Sequence, residues 1–101
     1  MLTSRAHMVT AHASKYLVQL CKHFAHKVAV EHDDHMASVA LGSGPATMTA
    51  DAQGLTVTVS GEDAKAIIQA RYVIDSHLVT FAFRENFTGF HWGEPCEKQP
   101  G

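Results

Sequence analysis

Apolar and polar residues change their spacing several times along this chain, and the changes divide it into elements. From Leu2 to Val9 the alternation places Leu2, Ala6 and Met8 on one side and Thr3, Arg5 and His7 on the other. This predicts a strand whose apolar face is broken once, at Ser4. From Thr10 to Lys27 the period becomes helical: Leu17, Leu20, Cys21, Phe24 and Val28 recur at spacings of three and four and form one apolar stripe. The same rotation gathers His12, Tyr16, Gln19, His23, His26 and Lys27 on another side of the helix. Thr10 is the expected N-cap, with Ser14 as the alternative if the helix starts later.

Beyond Lys27 the period falls to two. Four short strands are expected, Val28 to His32, Met36 to Leu41, Ala46 to Ala50 and Leu55 to Ser60. Asp33-Asp34, Gly42-Ser43-Gly44-Pro45 and Asp51-Ala52-Gln53-Gly54 supply the turns, and connections this short imply an antiparallel meander. One face of the last three strands is apolar throughout, whereas the other carries Ser38, Thr47, Thr49, Thr56, Thr58 and Ser60. A sheet covered by helices on one face only has that signature. Ser60 followed by Gly61-Glu62-Asp63 reads as the start of a second helix, which runs toward Arg84 with Ile67, Ile68, Ile74, Leu78 and Phe81 buried. Phe90 and Trp92 alternate about His91 as in a short final strand, and residues 94–101 are a polar, flexible tail. The fold class is therefore α+β: an antiparallel sheet with two helices on one face, in the order β-α-β-β-β-β-α(-β), forming a single domain over residues 1–93.

Composition narrows the functional classes. A chain of 101 residues, 46% hydrophobic and 18% charged, can bury a core without disulfides or a structural metal. Eight Lys and Arg against ten Asp and Glu give a net charge of −2, which is no footprint for nucleic acid or an anionic membrane. The N-terminus lacks the apolar core of a signal peptide, and no apolar run approaches the ~18 residues of a membrane span. Cys21 and Cys96 form no CxxC pattern and suit a reducing compartment, so the expected location is cytoplasmic.

Histidine is the unusual residue, with eight copies. His23 and His26, with His12 earlier on the same helix, are candidate zinc or iron ligands, but neither HExxH nor a Cys/His quartet is present. The competing reading is a set of hydrogen-bonded histidines on a partly exposed helix face. His32 and His35 flank Asp33-Asp34 at a turn, where solvated side chains are the expectation. Cys21 falls in the apolar stripe, which predicts an inert thiol, and nothing in the chain resembles a nucleophile elbow or an oxyanion loop. No catalytic residue is assigned and no cofactor is required. If the two helices lie side by side, however, His12, Tyr16 and His23 meet His77 and Arg84 in one cleft, where Arg84 would grip a carboxylate or phosphate. Those five residues are the candidate ligand site.

TAHASKYLVQLCKHFAHK near the start and HLVTFAFREN near the end, together with the late Trp92, resemble a small bacterial family catalogued as domain of unknown function 2218. The resemblance covers nearly the whole chain. It departs from the family pattern in the His-rich EHDDHM segment and in NFTGFHWG, where Gly89 and His91 interrupt a smoother strand. It implies a free-standing domain associated with siderophore-interacting ferric reductases, and it assigns no residue a role. The leading expectation is thus a small accessory protein that binds a small anionic ligand or a ferric-siderophore reductase through the His/Tyr/Arg face. The alternatives are a metal-assisted enzyme using the same histidines, and a homodimer formed through the threonine face.

Overall fold

Alternation and turn chemistry set the strands, and burial of their apolar face sets the layers. The structure is a computed structural model, which describes residues 1–82, Glu85, Gly89, Phe90, Trp92, Gly93 and the backbone of Cys96 and Glu97. Its elements are β1 (Leu2–Met8), α1 (Ala13–Phe24), β2 (Val30–His32), β3 (Met36–Leu41), β4 (Gly44–Asp51), β5 (Gly54–Gly61), α2 (Ala64–Phe81) and β6 (Cys96–Glu97). The order matches the sequence pattern. The sheet runs β2-β3-β4-β5-β1-β6 and every pairing is antiparallel. Consecutive hairpins lay down β2 to β5, after which β1 pairs with β5 from Leu2↔Gly61 to Met8↔Leu55.

Ala37 and Val39, Ala46, Met48 and Ala50, and Leu55, Val57 and Val59 form the inner face. Against it α1 buries Ala13, Tyr16, Leu17, Leu20, Cys21 and Phe24, while α2 buries Ile67, Ala70, Ile74 and Leu78. The opposite face carries the threonines in register: Thr47 lies beside Thr58, and Thr49 beside Thr56. Two glycines fix where the hairpins turn. A Cβ on Gly44 would lie 2.1 Å from the Ser60 carbonyl oxygen, and one on Gly54 would lie 2.0 Å from that of Met8. Both have φ well above zero, at 143° and 129°, which only glycine adopts without strain.

The helix ends differ from the sequence reading. His12, not Thr10, is the residue before α1, and its side chain makes no capping bond. Thr10 acts from two residues upstream, its Oγ1 accepting the His12 N–H at 3.0 Å. Ser14 donates instead to the Asp34 carbonyl at 2.8 Å, tying the β2–β3 turn to the first turn of α1. At α2 the cap is Asp63, whose Oδ1 accepts the Ala66 N–H at 2.9 Å, because Ser60 pairs with Thr3 inside the sheet. Ile68 is 63% exposed: the buried stripe runs Ile67, Ala70, Ile74, Leu78, and Ile68 falls out of it beside Tyr72. α2 ends at Phe81, and Arg84 and His91 lie outside the described residues. Phe90 and Trp92 belong to no strand, whereas Cys96 and Glu97, in the stretch expected as a tail, pair with Thr3 and Leu2.

The break at Ser4 has a structural purpose. Ser4 is 2% exposed, and its Oγ donates to the Gly93 carbonyl at 2.7 Å while accepting from Arg71 Nη2 at 2.9 Å. Arg71 Nη2 also reaches the Gly93 carbonyl at 2.7 Å, and the Gly93 N–H bonds the Arg5 carbonyl. One turn along α2, Asp75 accepts the Phe90 N–H at 3.1 Å and the Trp92 indole N–H at 3.0 Å. Arg71 and Asp75 thus hold Phe90, Trp92 and Gly93 against α2 and the edge of β1.

Candidate functional site

α1 and α2 lie side by side on the sheet, but the candidate residues separate into two places. His12 and His23 are eleven residues apart, roughly 16 Å along a helix, so both cannot face one residue of α2. At the N-terminal end of α1, Tyr16 is 5% exposed, and its hydroxyl donates to Glu85 Oε2. The Thr10 hydroxyl also donates to this carboxylate, at 2.9 Å from Oε1, and the His12 ring stands edge-on to Tyr16 at 6.2 Å. Burial, reinforced by the Glu85 hydrogen bond and charge, pushes the Tyr16 phenol up to about 12. The Tyr16 bond holds the Glu85 carboxyl below its ordinary range, helped by Thr10 and the nearby His12.

This cluster ties the chain beyond α2 to the β1–α1 connection. Because the folded Tyr16 pKa is raised, its stabilising contribution is complete below the ordinary tyrosine value of about 10 and is lost as pH climbs to about 12. The Glu85 contribution has the opposite sense, present above the ordinary glutamate value and lost as pH falls through the lower folded one. Tyr16→Phe is expected to remove about 1–2 kcal/mol at neutral pH and to flatten the stability loss between pH 10 and 12. Chemical denaturation at several pH values measures both, and an unchanged alkaline limb would exclude the phenol as its cause.

The second place is where α1 ends. The rings of His23 and His77 meet edge-on with centroids 4.7 Å apart, His23 stands 6.0 Å from Phe81, and Phe24 lies 4.9 Å from His77. His77 Nδ1 lies 2.7 Å from the Val73 carbonyl, an acceptor, so the proton belongs on Nδ1 and Nε2 keeps its lone pair in the neutral ring. Two cavities flank the pair. One, of about 270 Å³, is lined by His23, Ser76, His77, Thr80 and Phe81. The other, of about 240 Å³, has apolar walls from Phe24, Val28, Leu41 and Val73, with His23, Lys27 and His77 among its lining residues. A cavity with mostly apolar walls and an ammonium and two imidazoles among its lining groups has the chemistry to suit an apolar body carrying one negative group.

His26 lies beyond the end of α1, in the turn where Lys27 and Val28 bond back to the Phe24 carbonyl, so the helix does not present it alongside His23. Among the described residues no three or more His, Cys, Asp or Glu side chains are gathered as a metal site. Cys21 is a free thiol with no exposed surface, and burial raises it to about 11, as expected for an inert side chain. Asp33 Oδ1 accepts the His35 and Met36 N–H groups, closing the turn between the two histidines. The sequence reading missed Lys27 as a lining residue of the site, and Gly42, Ser43 and Gln69 on its far side. Lys27 lay within reach on the polar stripe, whereas the other three come from the β3–β4 turn and α2, with no local signal for their meeting.

A family model described as an uncharacterized protein conserved in bacteria (DUF2218) matches residues 5–93. The chain belongs to the DUF2218 family. No curated protein matches it in sequence. The fold of this DUF2218 domain is similar to the NMR structure of PA4090 from Pseudomonas aeruginosa, with a TM-score of 0.76 and 25% identity over 92% of this chain and 96% of that one. Among the described residues no helix of the DUF2218 domain is long and apolar enough to cross a membrane.

Proposed function

We propose that this domain is a small-molecule binding protein of the cytoplasm, whose site is the cavity between the end of α1, the β3–β4 turn and α2. Its ligand is an apolar carboxylic acid, with Lys27 and His23 receiving the carboxylate. The observation that carries this reading is the convergence of His23, Lys27 and His77 on a chamber otherwise walled by Phe24, Val28, Leu41 and Val73. The buried free thiol of Cys21 suits a reducing compartment. A connection to siderophore-linked iron use rests on the family resemblance alone, and an acidic chelate fragment is one member of the ligand class.

The test is an amide chemical-shift titration with benzoate and hexanoate. Shifts are expected to concentrate at His23, Lys27, Gly42, Gln69, Val73 and His77. Lys27→Ala, which removes the ammonium that would pair with the carboxylate, is expected to weaken binding about tenfold, or about 1.4 kcal/mol. His12→Ala is expected to leave binding unchanged. Shifts scattered over the surface, or equal loss in the His12 and Lys27 variants, would remove the reading.

A further inference from the structure

The 240 Å³ chamber is not closed at its far end. Leu41, Gly42, Ser43 and Gln69 line it and also line a larger open cavity of about 600 Å³ that runs to Gly61, Glu62, Asp63 and Lys65 at the start of α2. The two spaces are one groove along α2, enclosed and apolar at the His77 end, open and more polar at the Asp63 end. Asp63 and His77 are fourteen residues apart, which is roughly 21 Å of helix. An extended chain of about six residues spans that length, at about 3.4 Å each. Lys27, His23 and His77 stand at the enclosed end, whereas at the open one the Glu62 and Asp63 carboxylates are matched by Lys65 and the Met1 ammonium. Gly42 lines both cavities, and a Cβ added to it would meet nothing within 4 Å.

We propose that the groove binds the carboxyl-terminal segment of another polypeptide. The terminal carboxylate faces Lys27 and His23, and the last, apolar side chain fills the chamber beside Phe24 and Val73. The preceding residues cross Gly42 in extended form toward the start of α2. The proposal rests on the carboxylate site described above and extends it from a small acid to a peptide. A free carboxyl terminus supplies both things the enclosed end offers partners for, a negative group and an adjacent apolar side chain, while its chain continues along the groove.

The probe is a fluorescein-labelled hexapeptide pool with phenylalanine or leucine last and a free carboxyl terminus, compared with the same pool as carboxamides and with N-acetylphenylalanine. Fluorescence polarisation is expected to show the acids binding about tenfold or more tighter than the amides. Gly42→Leu, at a position with open space and no positive φ, is expected to leave the fold intact. By filling the place where the two cavities meet it should weaken the hexapeptides about tenfold. Equal binding of acids and amides, or hexapeptides indifferent to Gly42→Leu, overturns the proposal. Tight N-acetylphenylalanine with hexapeptides no tighter overturns it while sparing the small-acid reading, and no binding of either probe removes both. A dimer that forms without peptide and is broken by Gly42→Leu would give the groove to a second copy and overturn it as well.

Discussion

Gly54→Ala is expected to destabilise the domain by about 3 kcal/mol or more, lowering the melting temperature by roughly 15 °C or more. Gly54 opens β5 immediately after the Ala52-Gln53 turn, and its φ of 129° lies where a side chain is strained whatever the space. Space is also lacking: the new Cβ would sit 2.0 Å from the Met8 carbonyl oxygen and 3.0 Å from the Val9 Cα. Both are backbone atoms of the adjacent strand. Relief therefore requires β1 to move away from β5, at the end of the register that runs from Leu2↔Gly61 to Met8↔Leu55. Gly42→Ala is the control, because its Cβ would meet nothing within 4 Å. Thermal melts of the two variants decide the matter, and a Gly54→Ala protein within about 1 kcal/mol of its parent would show that β1 yields far more easily than its pairing implies.

The close approach at Gly54 illustrates which parts of the fold were legible in sequence. Period-two alternation and Asp/Gly-rich turns are local, and Met36 to Leu41 forms a strand with the bounds its pattern predicts. The position of β1 beside β5 is not local, since nothing in residues 2–9 states which strand they join. Ser4 shows the same limit: the interruption of the apolar face was visible, but its explanation is Arg71, 67 residues away. Tyr16 was placed on the polar stripe, yet its ring is buried and only its hydroxyl reaches a polar partner, Glu85, 69 residues along the chain. An amphipathic side chain of this kind satisfies both readings until its partner is known. His23 and His77 do meet, as side-by-side helices require, whereas His12 stands with Tyr16 in a separate cluster because helical rise separates it from His23.

Removing the Asp75 carboxylate is expected to release the segment that carries Phe90 and Trp92 without melting the sheet. Asp75 is the point where two donors of that segment converge, the Phe90 N–H and the Trp92 indole N–H. A hydrogen bond to a charged acceptor contributes about 1.5–3 kcal/mol, and partial exposure of all three residues places each of these bonds at the lower end. Asp75→Ala leaves both donors without their acceptor and is expected to cost about 2–3 kcal/mol. Asp75→Asn keeps an oxygen but loses the charge and one of the two acceptors, so its cost should be about half as large. Trp92 is the only tryptophan of the chain, and it packs edge-on to Phe90 with centroids 5.3 Å apart, so its fluorescence reports the segment directly. In Asp75→Ala the emission should shift to the red and become accessible to acrylamide, while far-ultraviolet circular dichroism stays near that of the parent. The retained Arg71 bonds to Ser4 and to the Gly93 carbonyl explain why release should be partial: they hold the end of the segment against β1 after the middle has gone. Arg71→Ala with Asp75→Ala should therefore complete the red shift, and cost more than the sum of the single changes if the core contacts of Phe90 and Trp92 are lost only when both anchors have gone. Emission unchanged in the double variant would show that the apolar contacts of Phe90 and Trp92 against the core hold the segment without either charge.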